Sequence, residues 1–285
     1  MYRPRPLLSR RGAVSATLGF LAGALAALSA SPVRAANATL FTDRSDGHEA
    51  FDHGPFDALL ARFGRASADG VTRVDYAAWK TSLADRARLR HYIEALAALD
   101  PRRLSRDEQF AYWANLYNAL TLDVVLDAYP VASIRQIKPT LLSIGPWKKQ
   151  VVRVLGVNLS LDDIEQDILR KGWRDPRVHY AVNCASISCP NLPLRAWRGA
   201  GLAQALDAAA RAYVNHPRGV RFEGDSLVVS SIYRWYAADF GGSDAAVIGH
   251  LRGFAAAPLR ARLDAAHRIA RADYNWSLNA APLSR

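Results

Sequence analysis

SRDEQFAYWANLYNALTLDVVLDAY, residues 105–129, is the most legible helix in the chain. Ser105 followed three residues later by Glu108 is a capping box, in which the serine hydroxyl accepts a backbone N–H that the first helical turn cannot satisfy. Phe110, Trp113, Tyr117, Leu120 and Val124 recur at helical spacing on one face, and the pattern runs to about Tyr129, where Pro130 ends it. Asn115 and Asn118 stand within this apolar surface. A buried amide needs partners, so either the two tie the helix to neighbouring loops, or one reaches a cleft and orients a ligand or a catalytic group.

Upstream, Gly54-Pro55 opens a helix ending near Gly64, Val71 to Tyr76 reads as a short strand or turn, and Ala77 to Leu99 as a helix or helix pair stopped by Asp100-Pro101. Downstream, the valines between Lys149 and Leu159 predict a hairpin, and Ser160 caps a helix running through Lys171. Val178, Tyr180, Val182 and Cys184 alternate with more polar neighbours, which predicts a half-buried strand leading into a Ser/Cys/Pro/Asn loop. Gly199 to Asn215 reads as a helix, Val220–Phe222 and Leu227–Ser230 as a second hairpin, and Ile232–Phe240 and Ser243–Ala255 as helices. His267–Trp276 reads as a last strand. Helices dominate and short strand pairs interrupt them, so the expected class is α+β, a helix-rich single domain with short antiparallel strand pairs.

Composition narrows the function. Half of the 285 residues are hydrophobic and 22% are charged, which fits a globular protein and excludes a disordered one. The net charge of +11 is inflated by residues 1–35, which hold five arginines and no acid; the remainder has 32 basic against 26 acidic residues. That surplus is spread without a basic run, and no nucleic-acid partner is expected. Residues 1–35 have a basic start, an uncharged stretch from Gly12 to Val33, and a small-residue end at Val33-Arg34-Ala35. This is the order of a cleavable export signal, with cutting after Ala35. Ser9-Arg10-Arg11 is similar to a twin-arginine signal. The expectation is a periplasmic or secreted protein with no stable membrane span once the signal is removed.

Two apparent motifs carry no chemistry. Gly224-Asp225-Ser226-Leu227 with Asp264-x-x-His267 imitates a GDSL-type hydrolase, but the serine stands between strand segments, where Gly-Asp-Ser makes a turn. His48 and His53 lie among acids, but their five-residue gap differs from the helical spacing of zinc ligands. A solvated polar leader is expected there, with no metal and no cofactor.

The densest reactive segment is His179-Tyr180-Ala181-Val182-Asn183-Cys184-Ala185-Ser186-Ile187-Ser188-Cys189-Pro190-Asn191. Three readings stand. Cys184 and Cys189 form a short-loop disulfide, as an oxidising compartment allows; or Cys184 is a nucleophile with His179 or another histidine as base; or both thiols are buried filler. On a regular strand His179 and Cys184 point to opposite faces, so a pair requires the chain to turn.

With these segments in place the chain resembles a family catalogued as domain of unknown function 547. The resemblance rests on Trp113-Ala114-Asn115-Leu116-Tyr117-Asn118-Ala119-Leu120, Ser133-Ile134-Arg135, Leu159-Ser160-Leu161-Asp162-Asp163-Ile164-Glu165, Asp175-Pro176-Arg177 through Pro190, Trp235-Tyr236-Ala237-Ala238-Asp239-Phe240, and Tyr274-Asn275-Trp276-Ser277-Leu278-Asn279. It implies a family domain over residues 36–285, of a kind found in exported bacterial proteins, with no assigned activity. Gln166 and Asn275 depart from it, since family members often carry His and Asp there. Trp113, Asn115, Tyr117, Asn118, Glu165, His179, Cys184 and Cys189 match. The expected cleft joins the Asn115 helix, the Glu165 helix and the 179–190 segment. As an enzyme it would be a thiol-dependent peptidase or transglutaminase-like acyl transferase: Cys184 the nucleophile, His179 the base, Asn115 or Asn118 the orienting amide, with Tyr117, Glu165, Ser188 and Cys189 binding a small-molecule or peptide ligand. The alternative is a non-catalytic envelope binding module with a structural disulfide.

Overall fold

The computed structural model describes residues 41–42 and 47–282. The export-signal reading of residues 1–35 falls outside them. The molecule is α+β and helix-rich, and its larger core is assembled around helix α4, Arg106–Ala128.

Helix α1 (Gly54–Phe63) is followed by strand β1 (Gly64–Ala66), which pairs antiparallel with β2 (Thr72–Val74). Of the two readings of Ala77–Leu99, one helix or a pair, the structure has the pair, α2 (Tyr76–Thr81) and α3 (Leu83–Ala98). In α4 the Ser105 hydroxyl accepts the Glu108 N–H at 3.4 Å, the predicted cap. The Ser105 N–H goes to the Glu49 carbonyl instead of to Glu108, so the reciprocal half of the capping box is not formed. Burial along α4 is not a single stripe. Every residue from Glu108 to Leu122 is buried, because α2, α3, residues 163–169 and the later loops that Asn115 and Asn118 bind surround it.

Strands β3 (Gln150–Val154) and β4 (Val157–Ser160) form the predicted hairpin. Leu155 and Gly156 at its tip have φ of 47° and 81°, the two successive positive angles of a tight hairpin turn. After β4 the chain forms a π-helix over Asp163–Leu169 and then one α-turn, α5 (Arg170–Trp173). The Arg170 N–H reaches back five residues to the Glu165 carbonyl. Wide turns of this kind cluster at functional sites.

The expected strand at 178–184 is not formed. Val178–Ala181 is a single helical turn, α6, and irregular chain follows it. The Asp175 side chain accepts the Arg177 N–H at 2.8 Å, and the Val178 N–H bonds the Asp175 carbonyl, so the Asp-Pro-Arg turn winds the chain before alternation can lay it flat. Helix α7 (Leu202–Val214) leads to β5 (Val220–Glu223) and β6 (Ser226–Ser230). Gly224 and Asp225 make the turn between these strands, leaving the hydrolase-like serine at the start of β6. Helices α8 (Ile232–Trp235), α9 (Asp244–Phe254) and α10 (Ala257–Asp264) follow. The last strand, β7 (Arg271–Asp273), is shorter than predicted and runs parallel to β6.

Two apolar clusters result. One surrounds α4; the other joins β5, β6 and α9. Helix α7 belongs to both, giving Leu202 and Leu206 to the first and Tyr213 and Val214 to the second, and α6 likewise splits Val178 from Tyr180. The 178–190 segment therefore lies at their seam. Among the described residues no helix is long and apolar enough to cross a membrane.

Candidate active site

A cavity of about 230 Å³ opens at this seam, with Tyr117, Glu165, His179, Cys184 and Cys189 in its wall. Trp147, Trp235, Tyr236, Tyr274 and Trp276 complete much of the rest. The α6 turn followed by extended chain brings His179 and Cys184 to one space, which a regular strand would not do.

Both α4 amides are used on backbone, and neither lines the cavity. Asn118 donates to the Ala181 carbonyl at 3.0 Å and accepts the Asn183 N–H at 2.8 Å. Asn115 does the same for Trp197, donating to its carbonyl and accepting its N–H, each at 2.9 Å. They fix the segments carrying His179, Cys184 and Trp197 against the core helix. The group that orients the imidazole is Asp239. His179 Nε2 lies 2.7 Å from Asp239 Oδ2, and Arg170 holds the same carboxylate through Nε at 2.5 Å and Nη2 at 2.8 Å. Burial works to raise the Asp239 pKa, but the hydrogen bonds from His179 and Arg170 outweigh it and hold the carboxyl well below the usual carboxylate range. The imidazole also stacks on Tyr236, with ring centroids 4.2 Å apart. Gln166 donates to the Tyr236 hydroxyl at 3.1 Å, and Glu165 is hydrogen-bonded to it too. The π-helix thus delivers two consecutive side chains to one phenol.

Cys184 and Cys189 are free thiols, so the disulfide, one of the three readings of this segment, is not formed here. Cys189 Sγ accepts the Cys184 N–H at 3.1 Å and faces the Val182 carbonyl. Cys184 Sγ instead lies 3.1 Å from the Ser186 hydroxyl and 3.3 Å from that of Tyr274. Hydrogen bonding from the Cys189 thiol lowers the Cys184 pKa against the opposing effect of burial, with help from Ser186 and Tyr274. Burial pushes Cys189 well above an ordinary thiol. The two sulfurs are thus pushed in opposite directions, Cys184 down and Cys189 up. Cys184 makes no hydrogen bond to His179; the two share the cavity.

The turn after Cys184 is held under strain. Ala185 has φ of 59°, a left-handed angle that costs an alanine about 1 kcal/mol or more. The Asn183 side chain accepts the Ala185 N–H at 2.8 Å and donates to the Pro190 carbonyl at 2.6 Å, closing the loop on itself. Ser188 does not face the cavity as a ligand group. Its hydroxyl accepts the Asn275 N–H at 2.8 Å and its N–H donates to the Asn275 carbonyl at 3.1 Å, fastening the loop to the segment that carries Tyr274 and Trp276.

His53 is not part of a solvated leader. It is buried at the start of α1, with Nδ1 2.6 Å from the Tyr92 hydroxyl. Among the described residues no group of three or more His, Cys, Asp or Glu side chains is arranged to hold a metal ion. Asp239 and Tyr274 are the site residues to which sequence reading gave no role. Both lie within segments quoted for the resemblance, which was the only signal for them.

No curated protein and no solved structure matches the chain. The span 101–214 carries Tyr117, Glu165, His179, Cys184 and Cys189, while Asp239 and Tyr274 lie beyond it. Over that span the chain matches the family described as "Protein of unknown function, DUF547".

Proposed function

We propose that the chain is an exported protein that uses Cys184 in thiol-dependent acyl transfer or peptide hydrolysis. One observation carries the reading: Cys184 and the Asp239-bonded imidazole of His179 face the same cavity. Cys184 Sγ attacks the carbonyl carbon of an ester or amide, and its proton passes through His179 to the departing alcohol or amine, leaving a thioester. Water or an amine then attacks the thioester, giving an acid or an amide and restoring the thiol. Asp239 positions the imidazole and favours its protonated form in the transition state. The Tyr274 hydroxyl, whose own pKa burial pushes well up, stays protonated and can donate to the sulfur. The aromatic walls suit a small-molecule or peptide ligand with a flat or apolar part.

The test is p-nitrophenyl acetate and iodoacetamide with intact-mass readout. One acyl or alkyl group should appear, on Cys184, while Cys189 stays unmodified until the protein is unfolded. Cys184→Ala should abolish the adduct, and His179→Ala should slow loss of the acyl group by about a hundredfold. A folded protein whose Cys184 reacts no faster than Cys189 would overturn the thiol reading and leave an aromatic binding cavity. Export is checked separately: the protein recovered from the periplasmic or secreted fraction should begin at Ala36, and an uncut or cytosolic chain would remove that part of the proposal.

A further inference from the structure

Between Asp127 and Asp162 the chain contains no acidic residue, and it holds Arg135, Lys138, Lys148, Lys149 and Arg153. Within this stretch, residues 137–149 connect the turn Ile134–Gln136 to β3. The tip of the connection is apolar and in water: Leu141 is 97% exposed, Leu142 96% and Ile144 69%. Single exposed leucines are ordinary. Three large aliphatic side chains within four residues, all turned outward, form a patch that a folded protein leaves uncovered where something else covers it.

The charges select the occupant. Lys138 precedes the tip and Lys148 and Lys149 follow it, all three exposed. A second copy of the chain would bring this basic collar against an identical one, and like charges at short range oppose that contact. An anionic lipid surface meets both demands, accepting aliphatic side chains at its acyl boundary and holding lysines among its phosphates. The loop is also built into the cavity wall. Gly145 has φ of 92°, and a Cβ there would lie 2.0 Å from the Trp147 ring, so the chain folds tightly enough to turn Trp147 inward. Trp147 lines both the thiol cavity and the cleft beside the tip.

We propose that residues 138–149 dock the protein on an anionic lipid surface, with Leu141, Leu142 and Ile144 entering the acyl boundary and Lys138, Lys148 and Lys149 holding the headgroups. The cavity mouth then lies close to the bilayer. The proposal does not depend on the thiol chemistry.

The test is sedimentation with vesicles of phosphatidylcholine alone or mixed with phosphatidylglycerol. It uses the chain from Ala36 onward, which contains both apolar clusters whole and removes the uncharged 12–33 stretch as a competing anchor. Binding should require phosphatidylglycerol and weaken with added salt. Replacing Leu141 and Leu142 together by Asp should weaken it at least about tenfold. Replacing Lys148 and Lys149 by Glu should weaken it roughly fivefold or more per residue. These side chains are exposed, so the thermal midpoint should not move, which separates lost docking from lost folding. Absence of binding to the mixed vesicles, or unchanged binding by the Asp variant, would overturn the proposal. So would a dimer dissolved by that variant without vesicle binding, which would assign the patch to a second copy.

Discussion

Unfolding free energy should fall as the pH is lowered from 6.5 towards 4, and the part of the fall above about pH 5 precedes the titration of ordinary carboxylates. Two histidines cause this. Burial lowers the His53 pKa to about 4, and the nearby Arg198 acts in the same direction, against Asp57 and Asp52. Burial likewise lowers His250 to about 4, against the pull of Asp175. Between those values and 6.5 the unfolded chain binds protons that the folded chain refuses, so stability rises with pH across this window and is lost going down. Each histidine contributes up to about 1.4 kcal/mol per pH unit, and the pair on the order of 5 kcal/mol across the window. Urea unfolding at pH 7, 5.5 and 4.5 measures the slope. His250→Phe should remove about half of it, and the Tyr180 hydroxyl would keep a partner in Tyr233 at 3.1 Å. Equal stability at pH 7 and 4.5 would contradict the neutral buried state of both rings.

Asn118→Ala should cost about 3 kcal/mol, since it leaves the Asn183 N–H buried and unpaired and opens a void beside α4. The Ala181 carbonyl would keep the Trp197 indole N–H at 3.0 Å, which limits the loss. Asn215 makes a comparable set of bonds, to the Phe254 carbonyl and the Ala256 N–H, but in an exposed position. Water can replace them, so Asn215→Ala should cost less than about 1 kcal/mol. Urea midpoints of the two variants settle the contrast. The Asn118 variant should also lose the difference in alkylation between Cys184 and Cys189, because Asn183 anchors the start of their loop. Equal costs for the two substitutions would mean that burial is not what gives Asn118 its weight.

Local pattern was enough for most elements. The α4 cap and the β3–β4 and β5–β6 hairpins each depend on neighbours within a few positions. The 178–182 segment was misread because four alternating residues fit a strand and one helical turn equally well. What separates them is the hydrogen bonding of Asp175, which hydrophobic spacing does not encode. The candidate site was legible as far as Tyr117, Glu165, His179, Cys184 and Cys189, all of which line the cavity. The rest was not: Asp239 reaches His179 across 60 positions and Tyr274 reaches Cys184 across 90, contacts that only packing creates. His53 was misjudged for the same reason, since its acidic neighbours suggested solvent while Tyr92 and Asn115 bury it.

The wide helical turn at Asp163–Leu169 makes the length of this segment matter as much as its composition. Removing any one residue there would restore regular i to i+4 bonding and improve the backbone ladder. It would also swing Glu165 and Gln166 by about 100° relative to the residues after the deletion, parting them from Tyr236. In this segment a shortened chain could gain robustness and be emptied of purpose in the same event, so insertions and deletions among relatives should be rarer there than substitutions.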